Sequence, residues 1–330
     1  MKYFMRKIVF FIVTIWIAIT LNFILPRLMP GNPAQAMMSK FAQQGAITPS
    51  QEHALALMLG MPTGSLWTQY WQYLLHVCEG NFGVSYSFYP VKVITVIAGA
   101  LPWTLTLVGL VTIIQFVVGT LLGVYAAWHR GRKFDSVATV LFSFTSAFPY
   151  FWIALLFIYL FGYILNWFPI SGGYSGSLSP ALNWSFVGSA LYHSILPALT
   201  IFITGIGGSL LSMRNNMINT LGEDYILLGR AEGLSETVIS IRYAARNALL
   251  PIVTNFAMTL GMVVGGSLLM ETVFAYPGMG YLLSTALSNQ DYPLLQALFL
   301  FITVSVLLAN FAADIVYGFL DPRVRRGGAR

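Results

Sequence analysis

Charge is what this sequence has least of. Asp, Glu, Lys and Arg make up 8% of its 330 residues, against about 25% in a soluble domain, whose surface has to be wet. So few charges cannot cover a water-facing exterior, and a soluble globular fold is excluded. Cysteine is nearly absent too: the single Cys78 rules out an intrachain disulfide and a Cys-rich metal site. The four histidines, His53, His76, His129 and His193, are scattered without ligand spacing, so no metal centre is expected. With no cluster of nucleophile, base or metal ligands, a membrane-bound enzyme finds no support. No G-x-x-x-x-G-K-S/T phosphate loop is present either, so the chain is expected to bind no ATP itself.

What is there is apolar. Hydrophobic residues make up 57% of the chain, and the mean hydropathy is +0.73. The apolar runs are continuous rather than alternating and close to the roughly 20 residues that a helix needs to cross the hydrocarbon core. Lipid offers the backbone no hydrogen bonds, so continuous runs mean closed helices. The expected fold class is all-α, a polytopic membrane helical bundle. The net charge of +6 does not point to nucleic acid, because its distribution follows the loops. Lys2, Arg6 and Lys7 precede the first run, and Arg130, Arg132 and Lys133 lie in the second inter-span loop. Arg214, Arg230, Arg242 and Arg246 surround a later loop, and Arg323, Arg325, Arg326 and Arg330 end the chain. The other side holds only Arg27, Lys40 and Lys92. The positive-inside rule then places both termini in the cytoplasm and requires an even number of spans.

Six spans fit, near 8–28, 101–128, 135–165, 193–215, 249–272 and 294–318. The first follows a basic start like a signal peptide, but it ends in Pro26 and Arg27 without a small-residue cleavage site, and is read as retained. The organisation expected is a tip and first span at 1–28, an extracytoplasmic segment at 29–99, a five-helix core at 100–318 and a cytoplasmic tail at 319–330. Pro102 suits a helix start, and Pro149 predicts a break in the third span. Gly119 with Gly123, and Gly261 with Gly265, are small-residue pairs that let helices approach closely. Trp67 to Leu75 is aromatic enough for a membrane interface, read equally as a packed surface helix or a partner-binding one.

The most informative stretch lies between the fourth and fifth spans, at 216–246. Glu223 and Asp224 open it as suits a helix N-terminus. Tyr225, Leu228 and Ala231 form one apolar stripe. Gly233 can take positive φ and stop the helix, and Ser235 can cap a second helix running through Arg242 and Arg246 towards Pro251. Two short helices joined by a bend are predicted.

This stretch is similar to the coupling loop of binding-protein-dependent ABC importers, in the version found in the dipeptide, oligopeptide and nickel permease family. The residues that carry the resemblance are Asp224-Tyr225-Ile226, then Gly229-Arg230-Ala231-Glu232-Gly233-Leu234, then Arg246-Asn247-Ala248-Leu249-Leu250-Pro251. Further blocks agree in order: Arg27 to Pro33; Glu271-Thr272-Val273-Phe274 with Pro277-Gly278-Met279-Gly280; and Asn310, Asp314, Tyr317 and Asp321-Pro322-Arg323. The departures are Gly229, where many relatives have Ala, and Glu232, where Lys is common.

The resemblance implies a type I importer transmembrane domain with six transmembrane helices in the inner membrane. Its partners would be a second, homologous but different permease, two ATPase subunits holding ATP and Mg, and an extracytoplasmic binding protein delivering di- or oligopeptides. Nickel chelates and oligosaccharides are the alternative cargoes. It also implies that Glu223 to Leu234 is the ATPase contact, with Gly233 setting the bend and Arg230 or Glu232 pairing with the ATPase. The competing class, a secondary transporter or channel, expects carboxylates placed at membrane depth for ion coupling. Few are present, Asp314 near the cytoplasmic edge and Glu271 at an outer end being the candidates, each with a structural reading beside a functional one. Gln115, Asn215, Asn216 and Asn255 face the pathway or simply link helices.

Overall fold

The computed structural model describes residues 2–28, 65–181 and 183–320. Among these residues the regular structure is helical, apart from a lone antiparallel bridge between Val84 and Lys92. The described helices are α1 Lys2–Leu28, α2 Leu66–Glu79, α3 Val93–Trp128, α4 Lys133–Ala147, α5 Tyr150–Ile164, α6 Trp184–Leu221, α7 Asp224–Ala231, α8 Glu236–Val238, α9 Arg246–Val263, α10 Leu268–Val273, α11 Met279–Ser288 and α12 Tyr292–Leu320. By length and composition α3, α6 and Tyr292–Ala312 of α12 can each cross a membrane, and the broken pair α4 and α5 adds a fourth candidate. The apolar part of α1, Phe11–Leu25, is shorter. The fold is an all-α membrane bundle.

Sequence expectations meet the helices differently. The break at Pro149 is present: α4 and α5 are bent by 91° across it. Phe148 is extended (φ −83°, ψ 135°), the conformation proline imposes on its predecessor. Pro102, by contrast, does not open its helix. It lies inside α3, which starts at Val93, and a π-helical turn at Leu105–Gly109 follows. A proline inside a helix leaves a carbonyl unsatisfied, and a wider turn is one way the ladder is re-formed. The fifth helix is cut short as well. α9 ends at Val263 and Gly266 takes φ +69°, so Gly265 lies outside the helix and does not pair with Gly261 along one face. Pro251 lies within α9, so the helix that runs from Arg246 towards it continues into the apolar run. The expected outer loop from Val273 to Pro293 contains α11.

Two compact units divide the chain, each assembled from separated stretches. The first comprises Met1–Thr104, Val264–Leu268 and Pro277–Leu307. Its core joins Val93, Ile97 and Ala100 of α3 to Met279, Leu282 and Ala286 of α11 and Leu294, Leu295 and Leu298 of α12. The Met279 amide donates to Thr104 Oγ1 (2.7 Å), fixing the start of α11 on α3.

The second unit comprises Leu105–Val263, Leu269–Tyr276 and Leu308–Arg330. Helix α6 is its axis and packs on α3, α4, α5 and α9. Its approach to α3 depends on small residues. A Cβ on Gly119 would lie 2.6 Å from Ser209 Cβ, and one on Gly123 would lie 2.6 Å from the Leu210 carbonyl. Gly207 does the same for α4, where a Cβ would meet the Phe142 carbonyl at 2.6 Å. Backbones this close gain dispersion contacts that lipid tails cannot outcompete.

Candidate functional site

Helix α7 and its surroundings make the candidate site. Glu223 stands at the N-cap position in extended conformation, without a side-chain cap bond, and Asp224 is in the first turn. The C-terminus closes as a Schellman motif: the Leu234 amide donates to the Gly229 carbonyl (3.1 Å) and the Gly233 amide to the Arg230 carbonyl (3.0 Å). Gly233 takes φ +78°, the left-handed bend that the sequence predicts. A Cβ on Gly229 would sit 3.3 Å from a Leu234 methyl, a tight contact that a small shift of the leucine end relieves. The chain then re-enters helix at α8, with Ser235 in the extended cap position but making no side-chain cap bond. A π-helical turn, Ile239–Ala245, leads into α9.

The face that α7 buries is not the apolar stripe that the spacing picks out. Ile226 (0% exposed) and Gly229 point inward, and Ile226 joins Met213 and Met217 of α6, Ile239, and Ala248 and Ile252 of α9 in one apolar cluster. The stripe of Tyr225, Leu228 and Ala231 points outward instead, with Leu227 and Leu228 58% and 59% exposed. Apolar residues occupy most of the helix circumference, so spacing alone could not select the buried side. Arg230 and Glu232 are exposed. Two motif blocks meet at one contact: Asn247 Nδ2 donates to Tyr225 Oη (3.1 Å) and to the Tyr243 carbonyl (2.9 Å), tying α7 to the start of α9. Arg246 and Pro251 are exposed on α9.

The other motif residues lie apart from α7. Glu271 is fully buried in α10, and its carbonyl accepts from the Tyr276 amide (2.8 Å). Burial, with Glu271 nearby, pushes the Tyr276 phenol well above its ordinary range. Pro277 and Gly278 lead into α11, and Gly280 allows a close backbone passage, since a Cβ would lie 2.8 Å from Leu268 Cα. Asp314 belongs to α12. Asp321, Pro322 and Arg323, with Met29 to Pro33, lie outside the described residues. Gln115 is half-buried on α3, over Gly205 of α6. Asn216 is half-buried, while Asn215 and Asn255 are exposed.

Sequence reasoning missed two buried polar centres. Asp135, at the start of α4, is gripped by a two-pronged Arg214 from α6, one prong Nη2 to Oδ2 at 3.0 Å, and accepts from the Gly131 amide (2.9 Å). An acid just after the basic turn Arg130–Lys133 was the available signal. Asp291, at the start of α12, accepts from Ser85 Oγ (2.5 Å), the Ser87 amide (2.8 Å) and the Leu294 amide (3.2 Å). It thereby caps α12 and holds the hairpin before α3. Tyr86 is buried in that hairpin, and burial, with Asp291 next, pushes its phenol up to about 12. No group of three or more His, Cys, Asp or Glu side chains gathers as a metal site among the described residues.

The described residues thus form a membrane bundle carrying a short, pinned helix with an uncovered apolar face. Residues 119–326 match the family of binding-protein-dependent transport system inner membrane components, and the chain belongs to that family. It is thus an inner-membrane permease component of an ABC importer, of the type I transmembrane class, and works with a binding protein and an ATPase. A putative peptide permease protein of Brucella suis biovar 1 is 35% identical over 305 residues, covering 92% of this chain and 93% of the relative. The di/tripeptide transport system permease protein of Pseudomonas aeruginosa is 34% identical over 340 residues, covering 98% and 99%. The glutathione transport system permease protein of Salmonella choleraesuis is 31% identical over 328 residues, again covering 98% and 99%.

Proposed function

We propose that this chain is one of two unlike permease subunits of an importer of short peptides, and that α7 is the helix onto which one of two ATPase subunits docks. The cargo class rests on the relatives, whose names specify peptides, di- and tripeptides and glutathione. In this reading both termini are cytoplasmic, α1 and α9 complete six crossings, and 216–246 is the coupling segment. Segment 29–99 then lies on the outer side, where the binding protein delivers cargo. Asp314, near the end of α12, belongs in this reading to the inner end of the last crossing.

The observation that carries the docking assignment is the two-sidedness of α7. Its inner side is held by Ile226, and the hydroxyl of the exposed Tyr225 is tied at the helix edge to Asn247 of α9. Its outer side shows Leu227, Leu228 and Ala231 beside the charges Asp224, Arg230 and Glu232. An apolar strip of this kind on a water-facing loop marks a surface that a partner covers. A helix fixed this firmly to α6 and α9 moves with them, so closure of two ATPases is passed on as rigid-body motion of the spans.

The test uses the assembled complex. Leu228→Glu changes an exposed side chain and leaves the fold alone, and should abolish co-purification of the ATPase. Gly233→Pro removes the φ +78° bend, since proline is fixed near −65°. It should leave ATP hydrolysis no longer stimulated by cargo-loaded binding protein. Normal assembly and coupled uptake in both variants would overturn the assignment.

A further inference from the structure

Helix α2 divides its surface into three sectors, and the third has no role in the proposed function. Tyr70, Tyr73, Leu74 and Val77 are half-buried on the side turned to the protein. Tyr70 packs edge-on against Phe23 of α1 (5.2 Å), and its hydroxyl bonds Thr20 Oγ1 (2.7 Å). Thr68, Gln72, His76 and Glu79 form an exposed polar sector. Between the two runs an exposed apolar sector: Trp67 (75%), Trp71 (62%) and Leu75 (60%), with Cys78 on the same line. At 3.6 residues per turn these sectors do not mix.

The contacts with α1 also set a depth. Arg27, in the last turn of α1, donates to the Phe23 carbonyl (2.7 Å) and to Gln69 of α2 (3.3 Å), and its guanidinium lies 3.6 Å above the Phe23 ring. A long basic side chain at the end of a spanning helix holds its charge at the headgroup level. Gln69 is therefore at that level. Phe23 and Thr20 lie five and eight residues before Leu28, about 8 and 12 Å lower at about 1.5 Å per residue. Contact with them lowers α2 into the boundary between headgroups and acyl chains, where interfacial helices bury their apolar side by roughly 5–10 Å.

We infer that α2 is an interfacial helix that lies in the bilayer surface beside the end of α1, with Trp67, Trp71 and Leu75 in lipid and Gln72, His76 and Glu79 in water. Tryptophan suits this position because its ring is apolar and its N–H still finds a polar partner at the headgroups. The helix is closed at both ends for such a site: the Thr68 amide donates to Ser65 Oγ (3.3 Å), and Gly80 ends it at φ +69°. The inference rests on the proposed reading of α1, with its apolar stretch Phe11–Leu25, as a crossing, and does not depend on the cargo or on the ATPase contact.

The experiment uses the complete complex in liposomes, with companion subunits free of cysteine. A nitroxide on the native Cys78 needs no substitution; further labels follow at W71C, L75C, Q72C and H76C in a C78S background. Complexes are read only if cargo still stimulates ATP hydrolysis, and Cys78 supplies a reading whatever the variants do. Oxygen, concentrated in lipid, should relax labels at 71, 75 and 78 severalfold more than a water-soluble nickel chelate, and the order should reverse at 72 and 76. Nickel dominance at every position would overturn the inference, as would shielding of 71 and 75 from both reagents. Protection at 71 and 75 only on adding binding protein would also overturn it, assigning the face to that partner.

Discussion

At the scale of single residues, the pair of Asp135 and Arg214 is the sharpest test of how the second unit is held together. The carboxylate is 4% exposed and the guanidinium 18%, so each is largely out of water and depends on the other. Removing the cation alone strands a buried carboxylate, at a cost of about 3 kcal/mol. Arg214→Met should therefore lower the thermal inactivation midpoint of the purified complex clearly. Replacing both partners with apolar side chains removes the stranded charge, so Arg214→Met with Asp135→Leu should be more stable than Arg214→Met alone. A double variant at least as impaired as the single one would show that the pair has a role beyond fixing α4 on α6. Neither residue stood out in the sequence, because a lone acid after a basic turn reads equally well as a helix N-terminal charge. Only the meeting of residues 135 and 214 distinguishes the two.

At the scale of elements, the sequence was most legible where backbone chemistry leaves few choices. Pro149 forces its predecessor out of helix, and the 91° bend is there. Gly233 ends α7 with the positive φ expected of it. It was least legible where apolar residues surround a helix. Tyr225, Ile226, Leu227, Leu228 and Ala231 cover so much of α7 that the buried side is decided by the elements packed on it, through Met217 and Ile239, and not by spacing within the helix. The same blindness hid the end of α9, since the apolar run from Leu249 to Met270 continues straight through the turn at Gly265 and Gly266. Glycines in helices divide in the same way. Gly123 faces the Leu210 carbonyl across α6, whereas a Cβ on Gly208 of α6 meets nothing within 4 Å. Gly123→Ala should accordingly destabilise the complex by about 1–3 kcal/mol through overpacking. Gly208→Ala should be neutral or slightly stabilising, since alanine is the better helix former by about 1 kcal/mol. Melting of the two variants side by side decides it, and equal losses would mean that α3 and α6 do not pack as described.

For the whole molecule, composition alone gave the class, because 8% charge leaves no soluble alternative. It could not give the two compact units, each stitched from separated stretches, because the boundaries at 104/105, 268/269 and 307/308 fall inside helices where no linker marks them. The energetics of transport also belong to this scale. The chain has no phosphate-binding loop, and in the proposed reading the exposed apolar strip on α7 is where a separate ATPase acts. A secondary transporter would instead be self-sufficient, drawing on an ion gradient through carboxylates in its spans. Reconstitution separates the two. The chain alone in liposomes, under a proton or sodium gradient, should accumulate no peptide. Addition of the second permease, the ATPases, the loaded binding protein and ATP should produce uptake that ceases in Leu228→Glu. Uptake by the isolated chain under a gradient would assign the driving force to this polypeptide and remove the ATPase from the account. Failure of Leu228→Glu to stop ATP-driven uptake would leave the importer in place but move its coupling contact off α7.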